Sequence, residues 1–402
     1  MRVTSTALPA GGCQPNSSAI WARLHRFWQR FRACFATRTR DSSLLAHDYL
    51  RAQLTIDRGR NFANIERCLS GGDGQRLQHF MSNSPWSGPA VFQQIRREIV
   101  STPELDEGGT LILDECADEK AGGDSAGVSR QDNGRMAKVD LCRVDTCLLY
   151  ANLTRRLWTM VDGELFIASK WFSDEYQRLR EQTGIPPERE FATKLALGLR
   201  MIERCRASGI RFDIVAYDSL YGRDQHFRSA LHTAGVTYAA QVPNSTLVCI
   251  DEVPRGRAST AVQACEVREL ARSERTRWQR ITLRYSERGL LSADFALLRV
   301  RVGADGRKTT ATTEAEWLVI RRVNEPRRYC FTLINAAVET PPERLAEWST
   351  RRYARRAHVR GCEGRTGVGG VRGAPVPRVG TSPGVDSGRA LVRSTDQAGM
   401  GT

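Results

Sequence analysis

Two short apolar segments of this chain each end in an aspartate. In the first, Leu111-Ile112-Leu113 leads to Asp114, which Glu115 follows. In the second, about a hundred residues later, Ile214-Val215-Ala216-Tyr217 leads to Asp218. An acidic side chain at the point where a buried strand emerges is well placed to hold a divalent metal ion. If the two strands are neighbours in one sheet, Asp114 and Asp218 meet at one edge of it. Such a pair can support the cutting of phosphodiesters.

Composition sets the limits on what the chain can be. Its 402 residues suffice for roughly two or three domains, and its formal net charge of +15 favours a polyanionic partner. Only five of the 60 basic residues are lysine, so a GC-rich genome also accounts for part of the arginine excess. Its apolar runs are too short for a membrane span or a signal segment, which predicts no membrane partner. The 11 cysteines lack CxxC pairs and the histidines lack zinc-ligand spacing, which predicts reduced thiols in the cytoplasm.

The elements that position the two aspartates follow from the hydrophobic pattern. Residues 19–105 read as an N-terminal helical region. Its first helix, residues 19–35, is basic and amphipathic, a pattern that more often packs on its own domain than reads DNA. From Thr110 onward the order is three strands, a helix ending at Gly209, the Asp218 strand, a short helix and a strand. This order predicts an α/β fold with a mixed sheet flanked by helices.

The second half of the chain has a different pattern. Residues 246–328 alternate apolar and polar side chains in three stretches, which predicts a β-rich insertion. Residues 329–335 read as a strand that returns to the main sheet, and Pro341-Pro342 opens a final helix that runs to about Tyr353. Residues 1–18 and 357–402 lack apolar periodicity and are predicted to be disordered.

In this order and spacing, the elements resemble the DDE (Asp-Asp-Glu) transposases of bacterial insertion sequences. The resemblance runs from about Cys68 to Tyr353 and includes these motifs: Leu77-Gln78-His79-Phe80-Met81-Ser82, Ser84-Pro85-Trp86, Leu113-Asp114-Glu115, Gly127-Val128-Ser129-Arg130-Gln131, Tyr217-Asp218, Tyr221-Gly222 and Leu333-Ile334-Asn335-Ala336. It implies a ribonuclease-H-like catalytic core over residues 106–245, interrupted by the insertion at 246–328 and completed by residues 329–356.

The same resemblance implies a chemistry and partners. Asp114 and Asp218 match the family's first two metal-binding carboxylates. The expected cofactor is Mg²⁺, with Mn²⁺ as an alternative, and the expected reaction is DNA cleavage and strand transfer. The expected partner is double-stranded DNA at transposon ends, and a homodimer is left open.

Five further side chains are candidates for contacts with DNA. Arg130, Lys138 and Arg143 could bind phosphates, although a solvated face is an equally good interpretation of each. Trp278 and Trp317 could stack on bases, but packing within the insertion is the better interpretation.

The third carboxylate of the family is missing from the position where it is expected. The final helix reaches Arg351-Arg352-Tyr353 and continues with arginines, and Glu363 lies between glycines in a poor helical setting. A frameshift would explain the loss. If residues 355–364 are encoded CGT CGA GCG CAC GTT CGA GGA TGC GAA GGG, a start one base later reads Val-Glu-Arg-Thr-Phe-Glu-Asp-Ala-Lys-Gly. That frame places a glutamate across the codon of Arg356, whereas the alternative is a genuine but divergent tail.

Three hypotheses about function therefore remain. The first is a transposase by ancestry that is inactive because its third carboxylate is absent. The second is a DNA-binding remnant that competes with active relatives at transposon ends. The third is an unrelated basic nuclease of similar fold. Binding to transposon ends without cleavage would favour the second hypothesis.

Overall fold

The computed structural model describes residues 17–353 except residues 57–58, 135, 137, 251–263, 275, 287–288, 304–313 and 324–327. Most of the predicted N-terminal tail and all of the predicted C-terminal tail lie outside the described residues, and so do Arg356 and Glu363.

The N-terminal region is helical over its described length. Its elements are α1 (Ser17–Gln29), a 3-10 turn (Arg32–Phe35), α2 (Ser43–Thr55), α3 (Phe62–Ser70), α4 (Gln75–Asn83), α5 (Gly88–Val100) and a 3-10 turn (Pro103–Leu105). The apolar side chains Leu24, Phe27 and Trp28 of α1 are buried in the core, and Arg26 and Arg30 are exposed. Helix α1 therefore packs on its own domain, as its amphipathic pattern favours.

Three aromatic rings lie at the centre of this helical region. Phe35, Phe80 and Trp86 are each at most 4% exposed, and their ring centroids are 5.5–6.2 Å apart. Such tilted contacts add to the stabilisation that burial alone provides. The Ser84-Pro85-Trp86 motif thus ends α4 and places an indole ring in the core.

One large sheet carries the rest of the fold. Its strands are β1 (Gly109–Glu119), β2 (Ser129–Asn133), β3 (Lys138–Asn152), β4 (Leu157–Phe166), β5 (Ile214–Tyr217), β6 (Tyr238–Val242), β7 (Leu247–Ile250), β8 (Cys265–Glu266), β9 (Gln279–Ser286), β10 (Gly289–Val302), β11 (Glu316–Val323) and β12 (Arg328–Ile334). Their order in space is β2-β3-β1-β5-β6-β12-β11-β10-β7-β8, with β4 also paired to β3 and β9 also paired to β10. Strands β1, β5 and β6 are parallel neighbours, and the other pairs are antiparallel.

The sheet is covered by apolar packing on both faces. Along β5, Val215 and Tyr217 belong to one core cluster, whereas Ile214 and Ala216 belong to another. Alternate residues of a strand point to opposite faces, so both faces of β5 are buried. The predicted α/β fold with a mixed sheet flanked by helices is confirmed.

The strands of residues 246–328 extend this same sheet. Strand β12 pairs with β6 on one side and with β11 on the other, and β11 pairs with β10. The Asn335 side chain fixes the return: its oxygen accepts from the Tyr238 N–H at 2.7 Å, and its amide donates to the Val236 carbonyl at 2.9 Å. The segment read as an insertion therefore continues the sheet that carries Asp114.

The helices of the second half are α6 (Gln177–Gln182), α7 (Lys194–Ala207), α8 (Ser219–Gly222), α9 (Gln225–Thr233), α10 (Val267–Leu270) and α11 (Pro342–Thr350). Hydrophobic periodicity predicts that α7 starts at Phe191, but the helix begins at Lys194. The reason is a cap, because the Thr193 hydroxyl accepts from the Ala196 N–H at 3.1 Å. Gly209, at φ +85°, follows the end of the helix.

Two expectations from composition concern membranes and cysteines. Within the described ranges, no helix is both long enough and apolar enough to cross a bilayer. The nine cysteines of the described residues are all free thiols.

Gly222 marks a close approach between α8 and β6. A Cβ atom at this position would lie 1.9 Å from the Gln241 carbonyl oxygen, which is backbone and cannot turn away. We expect Gly222→Ala to lower the free energy of unfolding by about 1–3 kcal/mol because the strands must shift to admit the methyl group. Urea unfolding followed by circular dichroism measures this change. Gly122→Ala is the control, since nothing lies within 4 Å of its Cβ position; equal effects of the two substitutions would contradict the packing argument.

Candidate active site at the end of strand β5

Strand register brings Asp114 and Asp218 together. Strands β1 and β5 are parallel, and Leu113 pairs with Tyr217, so Asp114 and Asp218 are the next residues along the two segments. Strand β5 ends at Tyr217, but β1 continues past Asp114 to Glu119 because it stays paired with β3, so only Asp218 lies at a strand end. Neighbouring strands lie about 4.8 Å apart. The two carboxylates therefore lie side by side where β5 ends.

Each aspartate is held by a local backbone contact. One oxygen of Asp114 accepts from the Glu115 N–H at 2.8 Å. Asp218 caps α8, because its Oδ1 accepts from the Leu220 N–H at 2.9 Å. Asp218 is therefore a turn acid as well as a candidate ligand, and the cap fixes the direction of its carboxylate.

Arg352 links the two carboxylates. Its Nη2 lies 3.5 Å from Asp114 Oδ2 and 3.3 Å from Asp218 Oδ2. Its Nη1 donates to Gln241 Oε1 at 2.8 Å. The arginine sits on the 3-10 turn Arg351–Tyr353, directly after α11. The sequence alone predicts Arg352 only as part of the end of the final helix, and the run of arginines near the expected third acid is the one local signal of its role.

A second ion pair lies beside the first. Lys194 Nζ is 2.8 Å from Glu115 Oε1, and its ammonium also lies 5.1 Å from the centre of the Phe166 ring. Glu115 and Asp114 are consecutive residues of β1, so their side chains leave opposite faces of the strand. The sequence alone predicts no role for Glu115 or Lys194.

Burial governs the protonation of these acids. It raises the pKa of the Glu115 carboxyl, and the Lys194 ammonium opposes that rise. Burial also raises the pKa of Asp218; the Arg352 guanidinium acts against this, and the Asp114 carboxylate adds to it. The Arg352 guanidinium thus favours the charged form of Asp218 against burial and against the neighbouring carboxylate.

The described residues do not fit a divalent metal ion as they are arranged. Carboxylate oxygens are ligands that Mg²⁺ prefers, and Asp114 and Asp218 supply them. However, the Arg352 guanidinium already lies against an oxygen of each. In the part of the chain that the structure describes, no group of three or more His, Cys, Asp or Glu side chains is arranged to hold a metal.

The three side chains proposed to bind phosphate differ in exposure. Arg130 is exposed on β2, and Lys138 is exposed on β3, where its ammonium lies 2.8 Å from Asp140. Arg143 is mostly covered and lies 3.4 Å from Asp145. Arg130 and Lys138 are therefore the more accessible to a polyanion.

The two tryptophans considered for base stacking pack within the protein. The Trp278 ring lies 5.8 Å from that of Tyr329 and 4.2 Å from the Arg322 guanidinium. Trp317 donates its indole N–H to the Ala337 carbonyl at 3.0 Å. Both contacts agree with the packing interpretation.

Comparison with known proteins gives two matches. A family model described as DDE superfamily endonuclease matches residues 30–290, which include Asp114 and Asp218. A probable transposase for insertion sequence element IS701 from Microchaete diplosiphon is 26% identical over 210 residues. That alignment covers 51% of this chain and 50% of the relative, so the chain spans about half the length of the curated relative it matches.

Proposed function

Because the chain belongs to the DDE superfamily of endonucleases, we propose that it descends from an insertion-sequence transposase and binds DNA without cutting it. DDE nucleases generally use divalent metal ions, and Mg²⁺ is the ion we propose for the ancestral reaction. The inactivity of this chain and its binding to transposon ends are both parts of the proposal.

A single observation carries the proposal. The Asp114–Asp218 pair lies where β5 ends beside β1, where a metal-dependent nuclease would need it, yet Arg352 bridges the pair. Activation of an attacking water by a metal requires open coordination positions at the ion. A guanidinium offers donors only and cannot take that role.

The position of the final helix supports the absence of the third acid as the cause of the proposed inactivity. Helix α11 is followed by the 3-10 turn Arg351–Tyr353, which lies against β1 and β5 beside the aspartates. If the helix continued past Tyr353 in the alternative frame, the family-like glutamate would follow this turn. The frame of the gene after about Tyr353 then decides whether the chain carries that glutamate.

The net charge of the chain and the position of two exposed cations support DNA as the partner. The net charge is +15. The β2–β3 arm, which comprises residues 129–133 and 138–142, projects beyond the aspartates; β3 runs about 30 Å from Cys147, opposite Asp114, to Lys138. Arg130 and Lys138 are exposed on this arm. A duplex lying at the aspartates could therefore also contact the arm.

Cleavage by two forms of the protein tests the proposal. We expect no Mg²⁺-dependent cleavage by the 402-residue chain, and we expect cleavage by a version restored to the alternative frame after about Tyr353, each on DNA carrying the element's own ends. The restored version with Asp218→Asn is the control for a contaminating nuclease. Robust cleavage by the unrepaired chain that is lost in Glu363→Gln would contradict the frameshift and make Glu363 the third ligand.

The same preparation tests the competing-remnant hypothesis. If the chain is a competitor at transposon ends, adding it to the frame-restored version should slow cleavage of end-bearing DNA more than cleavage of unrelated DNA. Equal inhibition on both DNAs would indicate non-specific binding.

A further inference from the structure

We propose that Arg352 is a tethered counter-ion that stands in for a metal cation at the Asp114–Asp218 pair, so that neutralising it opens a divalent-metal site. The inference rests on the aspartate pair of the proposed function, but it does not depend on cleavage or on DNA.

The first support is the sharing of one cation by two acids. A single nitrogen, Arg352 Nη2, lies within 3.5 Å of an oxygen of each aspartate. The side chains of Arg352 and Asp114 are 18% and 12% exposed, so water screens their attraction only partly. A divalent ion bound between the same oxygens would have to occupy the space of the guanidinium.

The second support is that the arginine is fixed in place. Its other terminal nitrogen donates to Gln241 on β6. The helix before it is anchored by the buried side chains Leu345 and Ala346. Arg352 is therefore presented by a packed element rather than by a frayed end.

The third support is chemical. A guanidinium is a cation that offers only hydrogen-bond donors, so it neutralises the acids but cannot be a ligand to a metal ion. The neighbouring cation Lys194 is engaged with Glu115. Removal of the Arg352 charge leaves two carboxylates that a hard divalent cation can neutralise.

Binding of Mn²⁺ without DNA tests the inference, with the loss of the free-ion electron paramagnetic resonance signal as the readout. We expect Arg352→Gln to bind Mn²⁺ at least about tenfold more tightly than the wild-type chain, because a repelling unit charge is removed at ion-pair distance. The matched control is Arg344→Gln, which removes an arginine and its aspartate pair from the same helix. It should bind like the wild type, and Arg352→Gln with Asp218→Asn should lose the gained binding.

Two outcomes would overturn the inference. One is Arg352→Gln that folds, as judged by circular dichroism, and binds Mn²⁺ no better than Arg344→Gln. The other needs no variant at Arg352: wild-type protein that binds Mn²⁺ well below roughly 1 mM and loses it in Asp218→Asn would show that the arginine does not exclude the ion. If Arg352→Gln fails to fold, Arg352→Met and this wild-type titration decide the question. These Mn²⁺-binding measurements do not depend on cleavage, so a frame-restored protein that fails to cut DNA would leave them unaffected.

Discussion

Replacing Glu316 with glutamine is expected to lower the free energy of unfolding by about 3–5 kcal/mol, since it leaves a buried arginine without its counter-charge. Arg228 and Glu316 are 4% and 7% exposed, and Arg228 Nε lies 3.6 Å from Glu316 Oε1. The Tyr238 hydroxyl also donates to this carboxylate. Burial raises the pKa of Tyr238 and the Glu316 carboxylate adds to the rise, so the phenol keeps the proton it donates.

The buried pair joins two parts of the fold. Arg228 belongs to α9, which follows the Asp218 strand, whereas Glu316 opens β11 in the segment read as an insertion. Loss of one charge should therefore weaken the attachment of β11 and β12 beside β6. Chemical unfolding by urea, followed by circular dichroism at one fixed pH, gives the free energy change.

Two comparisons separate this effect from ordinary surface substitutions. Asp294→Asn breaks the more exposed pair that Asp294 makes with Arg280 at 3.0 Å, and we expect a loss below about 1 kcal/mol. Arg228→Met combined with Glu316→Leu removes both buried charges and should be less harmful than Glu316→Gln alone. A loss for Glu316→Gln no larger than that of Asp294→Asn would show that the buried charge pair is not important for stability.

Affinity for duplex DNA is expected to fall about 10³-fold when salt rises from about 50 to about 200 mM, the loss for roughly six phosphate contacts. The basis is the net charge of +15 together with the exposed cations of the β2–β3 arm. Each neutralised phosphate releases counter-ions, so the logarithm of the binding constant falls linearly with the logarithm of the salt concentration. Fluorescence anisotropy over a salt series measures the slope.

Single substitutions locate the contacts. Arg130→Gln should reduce the salt slope by about one contact, since its side chain is exposed on the arm. Arg206→Gln is the control: Arg206 lies near the end of α7, which precedes β5, and so stands toward the sheet edge opposite Asp218. If the affinity for DNA does not change as salt rises, the arginine excess reflects the base composition of the genome rather than DNA binding.

Local sequence patterns sufficed for most of the elements around the site. The apolar runs before Asp114 and Asp218 and the stop of α7 just before Gly209 are found where the sequence predicts them. These signals are local because side-chain period, capping and glycine preference act within a few residues. The same locality explains why α7 begins at Lys194 rather than at the predicted Phe191, since the Thr193 cap outweighs the apolar pattern before it. It also explains the short strand β2, whose five residues carry too little periodicity to be recognised.

Only the tertiary structure decided how those elements meet. The pairing of Leu113 with Tyr217 makes Asp114 and Asp218 neighbours, and no local signal specifies that register. The placement of Arg352 between them depends on where α11 packs, and the Arg228–Glu316 pair depends on β11 joining the main sheet. Charges on distant segments interact only after folding brings them within a few ångströms and removes the water between them. The sequence therefore determined the candidate acids and their strands, whereas the folded chain determined which cation the acids share.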